Sequence, residues 1–134
     1  MIVFELDIPS LTEHGIQMGE NVFSSMNELL KRIERVEIGN ECLKEVNRFV
    51  IDGLNELETI IIGWRCFSLC NGPKEGSKFV IMNCDRLKQI HICKYSFMYY
   101  ESLELKNLPS LISIQLDWYV FSCCHSIVFE SMND

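Results

Sequence analysis

The sequence predicts a mainly β repeat solenoid: a right-handed coil of short strands, with at most one or two helical turns near residues 25–33. Three observations carry this. An apolar pattern returns at a fixed offset along the chain. A second apolar ladder runs in the same register. The 134 residues are 48% hydrophobic with three prolines, enough apolar material for a core and too much for a disordered chain.

The first pattern reads Leu57, Ile60, Ile62, Gly63, Cys66 and Phe67. Moving 30 positions on, past a six-residue insertion, gives Leu87, Ile90, Ile92, Cys93, Ser96 and Phe97. A further 24 gives Leu111, Ile114, Leu116, Asp117, Val120 and Phe121. Going back 24 from the first copy gives Ile33, Val36, Ile38, Gly39, Cys42 and Leu43. A looser copy is read at Ile16, Met18, Gly19, Val22 and Phe23. The second ladder reads Phe49-Val50-Ile51, Phe79-Val80-Ile81, Leu103-Glu104-Leu105 and Ile127-Val128-Phe129, with Phe4-Glu5-Leu6 beginning the series. Leu54, Cys84 and Leu108 follow it as buried-type positions. The insertion is read as Cys70 to Lys78, and its Gly, Pro and charges mark an exposed loop.

Ile-x-Ile and Phe-x-Ile put two side chains on one face of a short strand and turn the middle one away. Each repeat therefore carries two strands joined by turns. The Gly after Ile-x-Ile permits a sharp exit, through its freedom to adopt positive φ. One repeat cannot bury its apolar row alone; stacked repeats share a continuous core. The helical turns are expected where Ser25 and Glu28 form a capping-box pair and Leu29, Ile33 and Val36 fall at helical spacing. No linker divides the chain, so residues 1–134 read as a single solenoid of about five repeats or a slice of a longer array.

At this point the residues resemble a family. Phe121-Ser122-Cys123-Cys124-His125-Ser126-Ile127 is similar to the A-F-x-x-C-x-x-L element of BspA-like leucine-rich repeats, and Phe67-Ser68-Leu69-Cys70 to its first half. Ile62-Gly63-Trp64-Arg65-Cys66-Phe67 resembles the family's I-G-x-x-A-F with Cys in place of Ala. Asn107-Leu108-Pro109-Ser110-Leu111 and Asp7-Ile8-Pro9-Ser10-Leu11 resemble its Pro-marked turn. The resemblance covers nearly the whole chain, with a spacing that departs by about one residue per repeat. It implies a curved solenoid that binds other macromolecules, usually proteins, and is not generally enzymatic.

Composition excludes several classes. A net charge of -7, from 12 basic and 19 acidic side chains, suits neither a nucleic-acid backbone nor an anionic membrane. The start, MIVFELDIPS, lacks a basic n-region, and the longest uncharged run, of about 12 residues, is too short to span a bilayer. A cytoplasmic location is expected. Seven cysteines cannot all pair, so reduced thiols packing as small hydrophobes are expected. Cys42 and Cys66 share a repeat position with Val22, Ser96 and Val120, which reads as a small corner. Cys66-x3-Cys70 and Cys123-Cys124 fall short of a four-ligand metal motif. His91 faces outward from a strand, and His14 and His125 fall in turns. Phosphate-binding and zinc-protease motifs are absent. No catalytic residue, cofactor or metal is expected.

What is left is a binding surface. The middle residues of Ile-x-Ile are Gln17, Glu37, Ile61, His91 and Gln115, and these are expected to stack on one exposed sheet face. After the Gly position come Trp64-Arg65, Lys94-Tyr95 and Trp118-Tyr119, residue types favoured at interface hot spots. Gln17, Glu37, Ile61, His91, Gln115, Trp64, Arg65, Tyr95, Trp118 and Tyr119 are thus the candidate partner-binding residues. The competing reading folds Trp64 and Trp118 over the core corner. The expected function is a non-catalytic protein-interaction module whose partner is a protein. Self-association through uncapped ends is a further expectation. The alternatives are a purely structural segment of a longer array and a Cys-dependent enzyme or metal-binding protein.

Overall fold

The computed structural model describes residues 3–6, 20–24, 32–41, 46, 48–67, 69, 76–122 and 124–130, the first two segments as backbone. Among these described residues ten strands follow one another: β1 (Val3–Leu6), β2 (Glu20–Ser24), β3 (Arg35–Ile38), β4 (Arg48–Asp52), β5 (Thr59–Ile62), β6 (Lys78–Met82), β7 (Gln89–Ile92), β8 (Ser102–Lys106), β9 (Ser113–Leu116) and β10 (Ser126–Glu130). The described residues contain no helix. The odd strands form one five-stranded sheet in the order β1-β3-β5-β7-β9, the even strands a second in the order β10-β8-β6-β4-β2. Every pairing is parallel. Consecutive strands therefore alternate between the sheets. The fold is mainly β, as the periodicity predicts.

The register is that of the sequence ladders from β3 onward. Val36, Ile60, Ile90 and Ile114 stand side by side, as do Ile38, Ile62, Ile92 and Leu116. In the second sheet Phe49 aligns with Phe79, Leu103 and Ile127. The inward rows of both sheets belong to one core. Its centre is aromatic. Phe67 stacks on Phe97 at 4.2 Å and Phe97 on Phe121 at 4.7 Å, while Phe49 stacks on Phe79 at 5.6 Å. Phe79 meets Phe97 edge to face at 4.4 Å, joining the two columns. The Tyr100 ring closes one side, its hydroxyl donating to the Val46 carbonyl. Leu54, Cys84 and Leu108 are buried as expected.

The N-terminal copies need correction. β1 pairs with β3, so Phe4-Glu5-Leu6 opens the first sheet rather than the second ladder. Glu20–Ser24 pairs with β4, so Val22 and Phe23 lie in a strand of the second sheet and not at a turn corner. Phe4 meets Val36, 32 positions on, where the other steps are 24 or 30. Extra chain on both sides of β2 displaced the repeat. The helical turns proposed near 25–33 fall on residues 25–31, outside the described residues; Ile33 is buried just before β3. The insertion likewise lies outside them from 70 to 75; at its end Gly76 is exposed, but Ser77 is buried and Lys78 already opens β6, so the loop closes before Ser77.

The exit from the first sheet also differs in its cause. The positive-φ residue is not the glycine but the residue two further on: Glu41, Arg65, Tyr95 and Tyr119. Gly63 is required by proximity. A Cβ there would stand 2.4 Å from Asn40 Oδ1 and 2.8 Å from the Asn40 nitrogen.

Candidate functional site

The turns after β3, β5, β7 and β9 lie one above another. The amide of Glu41 donates to the Trp64 carbonyl, that of Arg65 to Lys94, and that of Tyr95 to Trp118, at 2.9, 2.9 and 3.0 Å. These bonds hold two side-chain rows in register. One row is Trp64, Lys94, Trp118; the other is Glu41, Arg65, Tyr95, Tyr119. Inward, the same turns place Cys66, Ser96 and Val120 at one small corner. The Cys66 thiol donates to the Gly39 carbonyl at 3.0 Å and the Ser96 hydroxyl to the Gly63 carbonyl at 2.8 Å. Cys and Ser interchange there because both are compact donors aimed at the neighbouring turn. That is a packing role, as the sequence indicates for this position.

The edge residues make their own contacts. Tyr95 and Tyr119 stack in parallel at 5.4 Å. The Arg65 guanidinium lies 6.0 Å from the Trp64 ring centre and the Lys94 ammonium 5.9 Å from that of Tyr95. Arg65 pairs with Glu41 at 3.7 Å; both are exposed enough for water to screen the pair. A groove of about 410 Å³ is lined by Trp64, Arg65, Lys94 and Tyr95. A neighbouring one of about 310 Å³ is lined by Lys94, Asp117 and Trp118. Trp118 is 74% exposed and Tyr119 59%, so Trp118 does not fold over the core; Trp64 is half-buried.

The outward row of the first sheet places Glu37, Ile61, His91 and Gln115 on adjacent strands, as expected. Gln17 lies outside the described residues, and Glu5 takes the rung beside Glu37. The row meets the edge at Asp117. Its Oδ2 lies 3.1 Å from His91 Nε2, and its Oδ1 accepts from Gln115 Nε2 at 3.2 Å. The hydrogen bond from His91, then that from Gln115, holds the Asp117 carboxyl below the ordinary carboxylate range.

Cys93 completes this group, with its sulfur 4.0 Å from the same His91 nitrogen. Burial, then the Asp117 charge, raises its thiol pKa. The ligand atoms of His91, Cys93 and Asp117 all lie within 4.8 Å of one another. Both short contacts fall on Nε2. A nucleophile–base–carboxylate relay needs the two ring nitrogens to face different partners, so the geometry does not build one. Sequence reasoning did not assemble this cluster, because its members come from two repeats. One signal was available: Cys93 and Asp117 stand where Gly39 and Gly63 stand in the preceding copies. Lys94, between the two grooves, is a further edge residue beyond the sequence-derived candidates.

No helix among the described residues is long and apolar enough to cross a membrane. No family model, curated protein or solved structure matches the chain.

Proposed function

We propose that the chain is a right-handed solenoid of the leucine-rich-repeat type and works as a non-catalytic protein-binding module. Its docking surface is the turn edge formed by Trp64, Arg65, Lys94, Tyr95, Trp118 and Tyr119, with the outward row Glu37, Ile61, His91 and Gln115 beside it. One observation carries the reading: aromatic and cationic side chains from three successive turns line two adjoining grooves and leave Trp118 largely exposed. Exposed Trp, Tyr and Arg are the side chains that anchor interfaces. The partner that fits is an extended protein segment with carboxylates for Arg65 and Lys94 and apolar side chains for Trp118 and Tyr119.

Selection from a displayed random peptide library tests this. Acidic-aromatic sequences are expected to be enriched, and Trp118→Ala to weaken their binding by roughly 2 kcal/mol, about 30-fold. Unchanged affinity in both Trp118→Ala and Lys94→Glu would sink the proposed edge. The solenoid reading has its own test. Duplicating residues 87–110, one repeat unit, is expected to leave a cooperative, strand-rich protein.

A second reading is favoured by a different observation. Among the described residues β9 and β10 are sheet edges, and Leu116, Ile127 and Phe129, which stand in the core rows, are exposed. Such an edge fits another pair of parallel strands, from a following repeat or from a second copy. Light scattering over a concentration series checks the second copy, with mass expected to rise and Phe129→Glu to hold it at the monomer value.

A further inference from the structure

We propose that His91, Cys93 and Asp117 form a binding site for a zinc-type divalent cation, clamping two successive turns of the first sheet. Three different ligating side chains converge there, and nothing in the repeat requires them. At the turn position where two copies carry glycine, the next two carry a thiol and a carboxylate, and His91 stands on the outward face one step away.

The distances suit a small tetrahedral ion. Zinc bonds of about 2.0 Å to nitrogen and oxygen and 2.3 Å to sulfur place ligand atoms roughly 3.3–3.6 Å apart. The His91–Asp117 separation is 3.1 Å and the Cys93–His91 separation 4.0 Å. The Cys93–Asp117 pair lies within 4.8 Å, and a swing of the half-buried Cys93 side chain by roughly 1 Å at sulfur toward both partners brings the set to zinc spacing. The turns beneath are fixed, since the Cys93 amide donates to Ile62 and the Asp117 amide to Ile92 at 2.9 and 3.0 Å. Gln115 already occupies Asp117 Oδ1, which leaves Oδ2 turned toward His91. This is the kind of outer contact that orients a metal ligand.

Cys93 releases its thiol proton to solvent, and His91 coordinates through the Nε2 lone pair with its proton on Nδ1. Two anionic ligands neutralise the dication. Thiolate and imidazole select zinc over magnesium or calcium, which prefer oxygen. His91 and Asp117 keep about a third of their side-chain surface exposed, so a fourth position stays open to water.

The test uses the full chain, reduced without added thiols, with Co²⁺ and Zn²⁺ as the only probes. One equivalent of cobalt is expected to give a thiolate charge-transfer band and tetrahedral visible bands, which zinc then displaces. Cys93→Ser, His91→Gln and Asp117→Asn are each expected to weaken zinc binding at least tenfold or so, while Cys124→Ser, at another half-buried thiol, leaves the titration unchanged. Circular dichroism confirms that each variant is folded. Zinc should also slow alkylation of Cys93 in the unaltered chain and leave Cys124 at its metal-free rate. A folded chain with no thiolate band at millimolar cobalt overturns the proposal. So does a band that survives Cys93→Ser, or zinc that leaves Cys93 alkylation unchanged.

Discussion

At the exit of the second sheet the left-handed backbone position is taken by Gly53, Asn83 and Asn107; at the exit of the first it is taken by Glu41, Arg65, Tyr95 and Tyr119. The backbone requirement is the same, and the residues that meet it are not. Glycine and asparagine enter that region at little cost. Asn83 and Asn107 also use their side chains there: Asn83 donates to Asp52 at 2.9 Å and Asn107 to Asn83 at 3.0 Å. At the first-sheet exit the Arg65–Glu41 pair is loose and screened and the tyrosines only stack, so each of these long or aromatic side chains carries roughly 1 kcal/mol of strain. One corner follows the rules of stability. The other departs from them in four successive turns, and two of the four side chains, Arg65 and Tyr95, line a groove. Departures of that kind are expected where surface chemistry is selected ahead of backbone comfort.

The comparison can be broken in several ways. The largest effect is expected on the inward side of the first-sheet corner, where Phe67, Phe97 and Phe121 also take positive φ but stack in the core. Phe97→Ala should cost about 3–5 kcal/mol in urea unfolding; an unaltered midpoint would contradict the aromatic column. Gly63→Ala should follow at roughly 1–3 kcal/mol, because its Cβ meets the Asn40 backbone and cannot be accommodated without movement. Next comes the direct contrast between corners. Asn83→Ala should destabilise by about 1–2 kcal/mol, whereas Arg65→Gly should be neutral or stabilise by up to about 1 kcal/mol while weakening peptide capture. If Arg65→Gly destabilises as much as Asn83→Ala, the two corners do not differ in the way argued.

The smallest effect lies away from both corners. Glu104 is held by Lys106 at 2.9 Å and Lys78 at 3.2 Å on the second sheet, and these bonds keep its carboxyl below the usual 4.5. Its contribution is present above the unfolded-state pKa and is lost as pH falls through the depressed folded value. Glu104→Gln should flatten the acid limb of a stability-versus-pH curve slightly; an identical limb would show that the pair is fully screened.

Much of this was legible because an offset of 24 or 30 positions maps directly onto strand register. Val36, Ile60, Ile90 and Ile114 could be aligned from their spacing alone. The N-terminal strands could not. Phe4-Glu5-Leu6 has the apolar-x-apolar form that suits either sheet, and only the length of chain between strands decides between them. The edge was legible at Trp64, Arg65, Tyr95, Trp118 and Tyr119, since each is an unusual residue at a repeating position. The His91–Cys93–Asp117 cluster was harder to see. Cys93 and Asp117 are neighbours only because the parallel pairing of β7 with β9 brings positions 24 apart together, and each alone looks like one more variable turn residue. The left-handed φ values leave no mark in the sequence when Arg or Tyr adopts them.

The pairing pattern also has a kinetic consequence. Each strand bonds only to the strands of the copies immediately before and after it, so no rung waits on a distant one. Opening should spread inward from the outermost strands like a zipper, and amide protons should report it as a gradient. Exchange should be slowest at Ile60, Ile81 and Ile90, and should quicken toward Ile114 and Ile127, on the outermost described strands of the two sheets.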